Sequence, residues 1–123
     1  NDASLRREPG LFARNERFVT FLDGPAGFCA VAMIAAIGVG HITASYDPSI
    51  STHEKVVGEV TRKRYDERPQ LARGDELGIF HLGSTTVIVF ERDRVSLDEV
   101  APGTPCRMGQ PIGRVRAAGQ ATS

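Results

Sequence analysis

Hydrophobic positions along this chain fall into short runs cut by glycine and proline, a spacing that predicts strands rather than helices. Residues 17–22 form a run rich in Phe and Val that reads as a strand. Asp23-Gly24-Pro25-Ala26-Gly27 is a turn cluster, and residues 28–37 are a second, fully apolar run. Together they predict a β-hairpin with a five-residue loop. The four alanines of the second run would also suit a helix, but its partner run and flanking glycines favour the strand. Gly38 and Gly40 then punctuate the chain before residues 41–45, and residues 46–54 read as a polar loop. Residues 55–62 have strand character broken by Gly58, where a bulge or a close backbone approach is expected.

Residues 63–73 are strongly charged and carry Pro69, as a loop or an extended edge does. Residues 74–78 read as a turn, 79–82 as a short strand and 85–90 as a β-branched strand of high propensity. A last pair of short strands is expected around Met108-Gly109-Gln110-Pro111 and residues 112–115. Helix is confined to the first dozen residues or to a turn at 97–100, and the tail after Ala117 is expected to fray. The pattern predicts a mainly β fold: a small barrel- or sandwich-like domain of short strands with Gly-rich turns and little helix. The length, 123 residues, suits one domain spanning 1–123.

Charge removes some function classes. Fifteen basic side chains balance fifteen acidic ones, so no overall field draws the chain to nucleic acid or to an anionic membrane. The local run Arg62-Lys63-Arg64 is answered by Asp66 and Glu67 and reads as a solvated surface, with phosphate binding as the alternative. Cys29, inside an apolar run, reads as a buried, inert thiol; Cys106 lies in a Pro-flanked turn, and no Cys/His spacing suggests a metal site. No signal peptide is visible, and the longest apolar run, 28–39, falls short of the roughly 20 residues of a spanning helix. The missing initiator Met hints at something removed upstream.

Three groups of residues could carry chemistry. Gly83-Ser84-Thr85 stands between two expected strands, where glycine leaves the peptide bond unhindered and the serine hydroxyl could reach back to the Gly83 carbonyl. As a bare tripeptide it is also a common turn, and it is not a G-x-S-x-G elbow. His81 precedes Ser84 by three positions, and on a strand residues three apart point to opposite faces, so His81 reads as structural or surface. His41 and His53 have no partner spacing and read as structural. Asn15, Glu16 and Arg17, just before a strand, suit either a solvated strand entry or a fixed polar network.

Taken in order, three segments resemble the phosphatidylserine decarboxylase proenzyme family, a group of pyruvoyl-dependent decarboxylases. Pro9-Gly10-Leu11-Phe12-Ala13-Arg14-Asn15-Glu16-Arg17-Phe18-Val19 resembles its P-x-L-F-A-x-N-E-R-V segment. Gly74-x-Glu76-x-Gly78-x-Phe80-x-Leu82-Gly83-Ser84-Thr85 resembles its G-x-E-x-G-x-F-x-(L/F)-G-S-T processing segment. Gly109-Gln110-Pro111-Ile112-Gly113 resembles its closing G-Q-x-(I/L)-G turn. The resemblance implies that the chain is a carboxy-terminal part that cuts itself between Gly83 and Ser84, giving pieces 1–83 and 84–123. Gly83 supplies the scissile carbonyl, and Ser84 becomes a covalent pyruvoyl cofactor that forms a Schiff base with the amine of phosphatidylserine. Decarboxylation then yields phosphatidylethanolamine.

The resemblance also implies partners and a place. These are the upstream part of the same proenzyme, a membrane surface met through segments outside this chain, and the cytoplasmic face of a bacterial inner membrane. The family's upstream D-G and Y-H-R-x-H motifs are missing: Asp23-Gly24 lies in the hairpin loop and no Tyr-His pair occurs. The chain alone is therefore expected to be inactive, and the residues that bind the headgroup are unknown. Two other readings compete. A biotinyl- or lipoyl-like carrier needs a lysine at a hairpin tip, which neither Lys55 nor Lys63 resembles, and a serine hydrolase would pair Ser84 with His81.

Overall fold

The computed structural model describes residues 16–35, 41–52, 62–82 and 84–116. Seven strands follow in chain order: β1 (Arg17–Gly24), β2 (Gly27–Ile34), β3 (His41–Ala44), β4 (Gly78–Leu82), β5 (Thr85–Phe90), β6 (Val95–Leu97) and β7 (Gly113–Val115). They make three sheets, ordered β1-β2-β5, β3-β4 and β6-β7. The mainly β expectation holds: no helix and no closed barrel occur among the described residues.

Three local expectations need correction. The hairpin loop is only Pro25 and Ala26, because β1 continues through Asp23 and Gly24 and β2 begins at Gly27. Gly27 holds φ at +77°, a conformation side chains rarely adopt, so this glycine closes the turn instead of lengthening it. Residues 97–100 form no helical turn, since Leu97 ends β6 in a ladder with β7. No strand forms around Met108-Gly109-Gln110-Pro111, and β7 pairs instead with β6: Val95 lies opposite Val115, Ser96 opposite Arg114 and Leu97 opposite Gly113. The helix considered for the first dozen residues and the strand around Gly58 lie outside the described residues.

The chain divides into two compact units, Asn1–Val19 with Ala32–Val87, and Thr20–Val31 with Ile88–Ser123. The first has the core. Ile42 is fully buried, Met33 and Ala35 close around it, and Phe18 and Phe80 pack against that cluster. On β3 the period of two is plain: Ile42 and Ala44 are buried, whereas His41 and Thr43 are only partly covered. Phe80 on β4 lies opposite Ile42, and Gly78 lies opposite Ala44. A Cβ at Gly78 would fall 2.8 Å from the Thr43 carbonyl oxygen and 2.9 Å from Met33 Sδ, so glycine here lets β4 close onto the core.

The second unit is held by polar contacts. The Glu91 N–H donates to the Phe28 carbonyl at 3.1 Å, and the Phe28 N–H donates to Glu91 Oε2 at 3.0 Å. Arg94 donates from Nη2 to the Pro25 carbonyl at 3.3 Å. None of its described hydrophobic side chains is buried.

Candidate active site

Ser84 is exposed and belongs to no strand; it lies in the two-residue link between Leu82, the last residue of β4, and Thr85, the first of β5. Gly83, its expected partner in bond cleavage, lies outside the described residues. The strand leading into this link is not regular. Phe80 is opposite Ile42 and Leu82 is opposite His41, which leaves His81 as an extra residue, a β-bulge at the end of the ladder.

That bulge changes what His81 can reach. Its ring stacks on His41, with centroids 4.3 Å apart and planes 26° apart. His81 Nε2 lies 2.9 Å from Thr43 Oγ1, and His41 Nε2 lies 3.0 Å from Ser51 Oγ. Two histidines that look unrelated in sequence thus share one side of the β3–β4 ladder, with a hydroxyl fixing each ring. His81 is engaged by Thr43, which gives a Ser84–His81 hydrolase pair no support. His53 lies outside the described residues. The signal that could have found this pair is the pairing of β3 with β4, because His41 and Thr43 sit two apart and so share a face.

Glu16 belongs to a polar network rather than to a solvated strand entry. Its carboxylate accepts from Thr52 Oγ1 at 2.6 Å, and the same hydroxyl oxygen accepts from the buried Ile42 N–H at 2.9 Å. The Glu16 carbonyl accepts from the Ala35 N–H at 2.9 Å, so one residue fastens the start of β1 to both neighbours of the core. Arg17 is exposed, and Asn15 lies outside the described residues.

A second cluster was not anticipated. Asp47, buried in a loop, accepts from Lys63 Nζ at 2.6 Å, from Ser49 Oγ at 2.6 Å and from the Tyr65 hydroxyl. Lys63, and after it the two hydroxyls, hold the Asp47 carboxyl well below the usual carboxylate range. Burial, and then Asp47, hold the Tyr65 phenol above its usual range. Lys63, from the basic run, is thus tied inward to Asp47 and resembles neither a phosphate site nor a carrier lysine; Lys55 lies outside the described residues.

Cys29 is half-buried rather than buried, and burial pushes its thiol up; Cys106 is exposed, and both are free. Among the described residues, no group of three or more His, Cys, Asp or Glu side chains could hold a metal ion. No helix among them is long and apolar enough to cross a membrane.

Ser84 is thus an exposed serine between β4 and β5, at the end of the Gly74-to-Leu82 segment. The family model for phosphatidylserine decarboxylase matches residues 1–114, and the chain belongs to that family. It is 43% identical over 114 residues to the phosphatidylserine decarboxylase proenzyme of Anaeromyxobacter sp. (strain K), covering 92% of this chain and 40% of that relative. It is 40% identical over 114 residues to the proenzyme of Myxococcus xanthus, with the same coverage, and 35% identical to that of Alteromonas mediterranea, covering 91% of this chain and 35% of the relative. The chain therefore spans about two-fifths of the length of the curated relatives it matches. No solved structure matches it.

Proposed function

We propose that this chain carries the self-cleavage and cofactor-forming site of a phosphatidylserine decarboxylase proenzyme, with Gly83–Ser84 as the bond that breaks. The observation that carries the reading is the exposed Ser84 hydroxyl in a two-residue link, inside the segment matched to the family. Ser84 lies outside the strands, which leaves its backbone able to bend for an attack on its own preceding carbonyl.

Ser84 Oγ adds to the Gly83 carbonyl carbon, and the amide C–N bond gives way to an ester. Loss of the Ser84 α-proton then breaks the Cβ–O bond, which releases Gly83 as a carboxylate and leaves dehydroalanine at position 84. Water takes the place of nitrogen, ammonia departs, and the piece 84–123 begins with a ketone. Serine is required because its β-oxygen is first the nucleophile and then the leaving group. Glycine before it leaves the carbonyl open to attack.

Strand pairing supports a stable cleaved form. β4 stays paired with β3 inside 1–83, and β5, at the head of 84–123, lies beside β2. The new terminus is thereby anchored one residue ahead of Thr85. A pyruvoyl group there supplies an electrophilic carbonyl and an electron sink for loss of a carboxylate. The exposure of Ser84 gives access to an amine on a lipid headgroup, so phosphatidylserine is the substrate and phosphatidylethanolamine the product in this reading. The enzyme then works at a membrane surface, as a peripheral protein on the cytoplasmic face of a bacterial inner membrane, held there by segments outside this chain.

The base that activates Ser84 comes from the rest of the proenzyme, since His81 is held on Thr43, and this chain alone is inactive. The test joins the chain to the segment that completes the length of its relatives and measures phosphatidylethanolamine formed from phosphatidylserine vesicles. The joined protein should turn over, and both its Ser84→Ala variant and the chain alone should form no product. Turnover by the Ser84→Ala variant would sink the reading, and turnover by the chain alone would sink the claim that the base lies elsewhere.

A further inference from the structure

The unit formed by Thr20–Val31 and Ile88–Ser123 presents an apolar surface it cannot bury itself. The buried hydrophobic side chains, Met33, Ala35, Ile42 and Ala44, all belong to the other unit. Phe21 on β1 is 66% exposed, Phe28 on β2 53% and Val89 on β5 60%, and these strands are consecutive in one sheet. The rings of Phe21 and Phe28 stack at 5.8 Å and 13°, an ordered apolar platform rather than scattered side chains. Beside it a hollow of about 290 Å³ between β2 and β5 is lined by Phe28, Cys29, Ala30, Val89, Phe90 and Glu91. Single exposed hydrophobics are ordinary on a protein surface; a contiguous patch with two stacked phenylalanines and a hollow marks an interaction surface.

Length and charge indicate the occupant. The chain spans about two-fifths of its relatives, so three-fifths of a proenzyme of that size remains to be packed somewhere. Five arginines in this unit are matched by five carboxylates, which offers no attraction to an anionic bilayer and suits an apolar protein contact. We propose that the Phe21–Phe28–Val89 face is the docking surface for the part of the proenzyme outside this chain. The proposal rests on membership of the family and not on the chemistry at Ser84.

The experiment uses the Ser84→Ala chain throughout, so that failure to cleave leaves the result untouched. That chain is produced alone and together with the portion of the Anaeromyxobacter relative outside the matched segment. Binding is measured by titration, and amide hydrogen exchange is followed in residues 20–31 and 88–91. The docked segment should slow exchange in these amides at least tenfold. Phe21→Asp with Phe28→Asp should weaken binding by at least about thirtyfold, as loss of two anchor side chains does. Met108→Asp, at an equally apolar and fully exposed position in a turn, should leave binding unchanged. Unchanged slow exchange at Ile42 in each variant verifies that the core unit stays folded. Absence of binding, or binding indifferent to the paired aspartates, would overturn the proposal. So would the same protection appearing on phosphatidylserine vesicles alone, or in a self-associated chain without the segment.

Discussion

In the unit built from Asn1–Val19 and Ala32–Val87, Ile42 is fully buried, with Met33, Ala35, Phe18 and Phe80 around it. In the unit built from Thr20–Val31 and Ile88–Ser123, Phe21, Val89 and Val100 are each exposed by three-fifths or more. The strands explain the contrast. β3 reads His-Ile-Thr-Ala, one apolar side and one polar side, and one covering layer satisfies it. The parts of β2 and β5 in the second unit, Gly27-Phe28-Cys29-Ala30-Val31 and Ile88-Val89-Phe90, are apolar on both sides, the pattern of strands meant to be covered twice. In the docking proposal, this exposed apolar face is where the rest of the proenzyme packs.

Substitutions in the two units should differ widely in cost. The largest effect is expected at Ile42: Ile42→Ala should cost about 2–5 kcal/mol in a urea unfolding titration, because a fully buried side chain leaves a cavity. Thr52→Val should cost about 1–3 kcal/mol, since it strands the buried Ile42 N–H and removes the donor to Glu16. A cost near zero at either position would remove the core unit from the account.

Asp47 gives a pH signature in that unit. Its carboxyl is held below the usual range, so the folded state prefers the carboxylate. That contribution is present above the ordinary aspartate value near pH 3.9 and is lost as pH falls below it. The unfolding midpoint should therefore drop on acidification below about pH 4, and the drop should be smaller in Asp47→Asn. An equal drop in both proteins would mean that the Lys63, Ser49 and Tyr65 contacts do not hold the carboxylate.

The smallest effect is expected in the other unit. Val100→Ser should change the stability of the isolated chain by less than about 0.5 kcal/mol, because Val100 is already 69% exposed. A cost comparable to that of Ile42→Ala would show that this unit closes a core of its own.

Local chemistry made much of the fold legible. β5 runs from Thr85 to Phe90, as its β-branched residues require, and β4 ends at Leu82, where Gly83 interrupts it in sequence. What depended on distant pairing was not legible. β3 and β4 are separated by more than thirty residues, so neither the bulge at His81 nor its stack on His41 could be read from strand alternation. Lys63 looked like part of a solvated basic run because its partner, Asp47, comes from a different loop. Leu97 looked free to start a helical turn because its ladder partner is Gly113. The role proposed for Ser84 was legible only through the spacing of the residues before it; the structure adds its exposure and its place between two strands.

The claim at the centre of this account is that Ser84 becomes the head of a new chain. Its most direct test is the intact mass of the chain joined to the segment that completes its relatives' length. The account predicts two pieces divided at Gly83/Ser84, with the carboxy-terminal piece one ammonia lighter than a chain beginning with serine. A protein that stays whole, or splits to leave an ordinary amino-terminal serine, would contradict it.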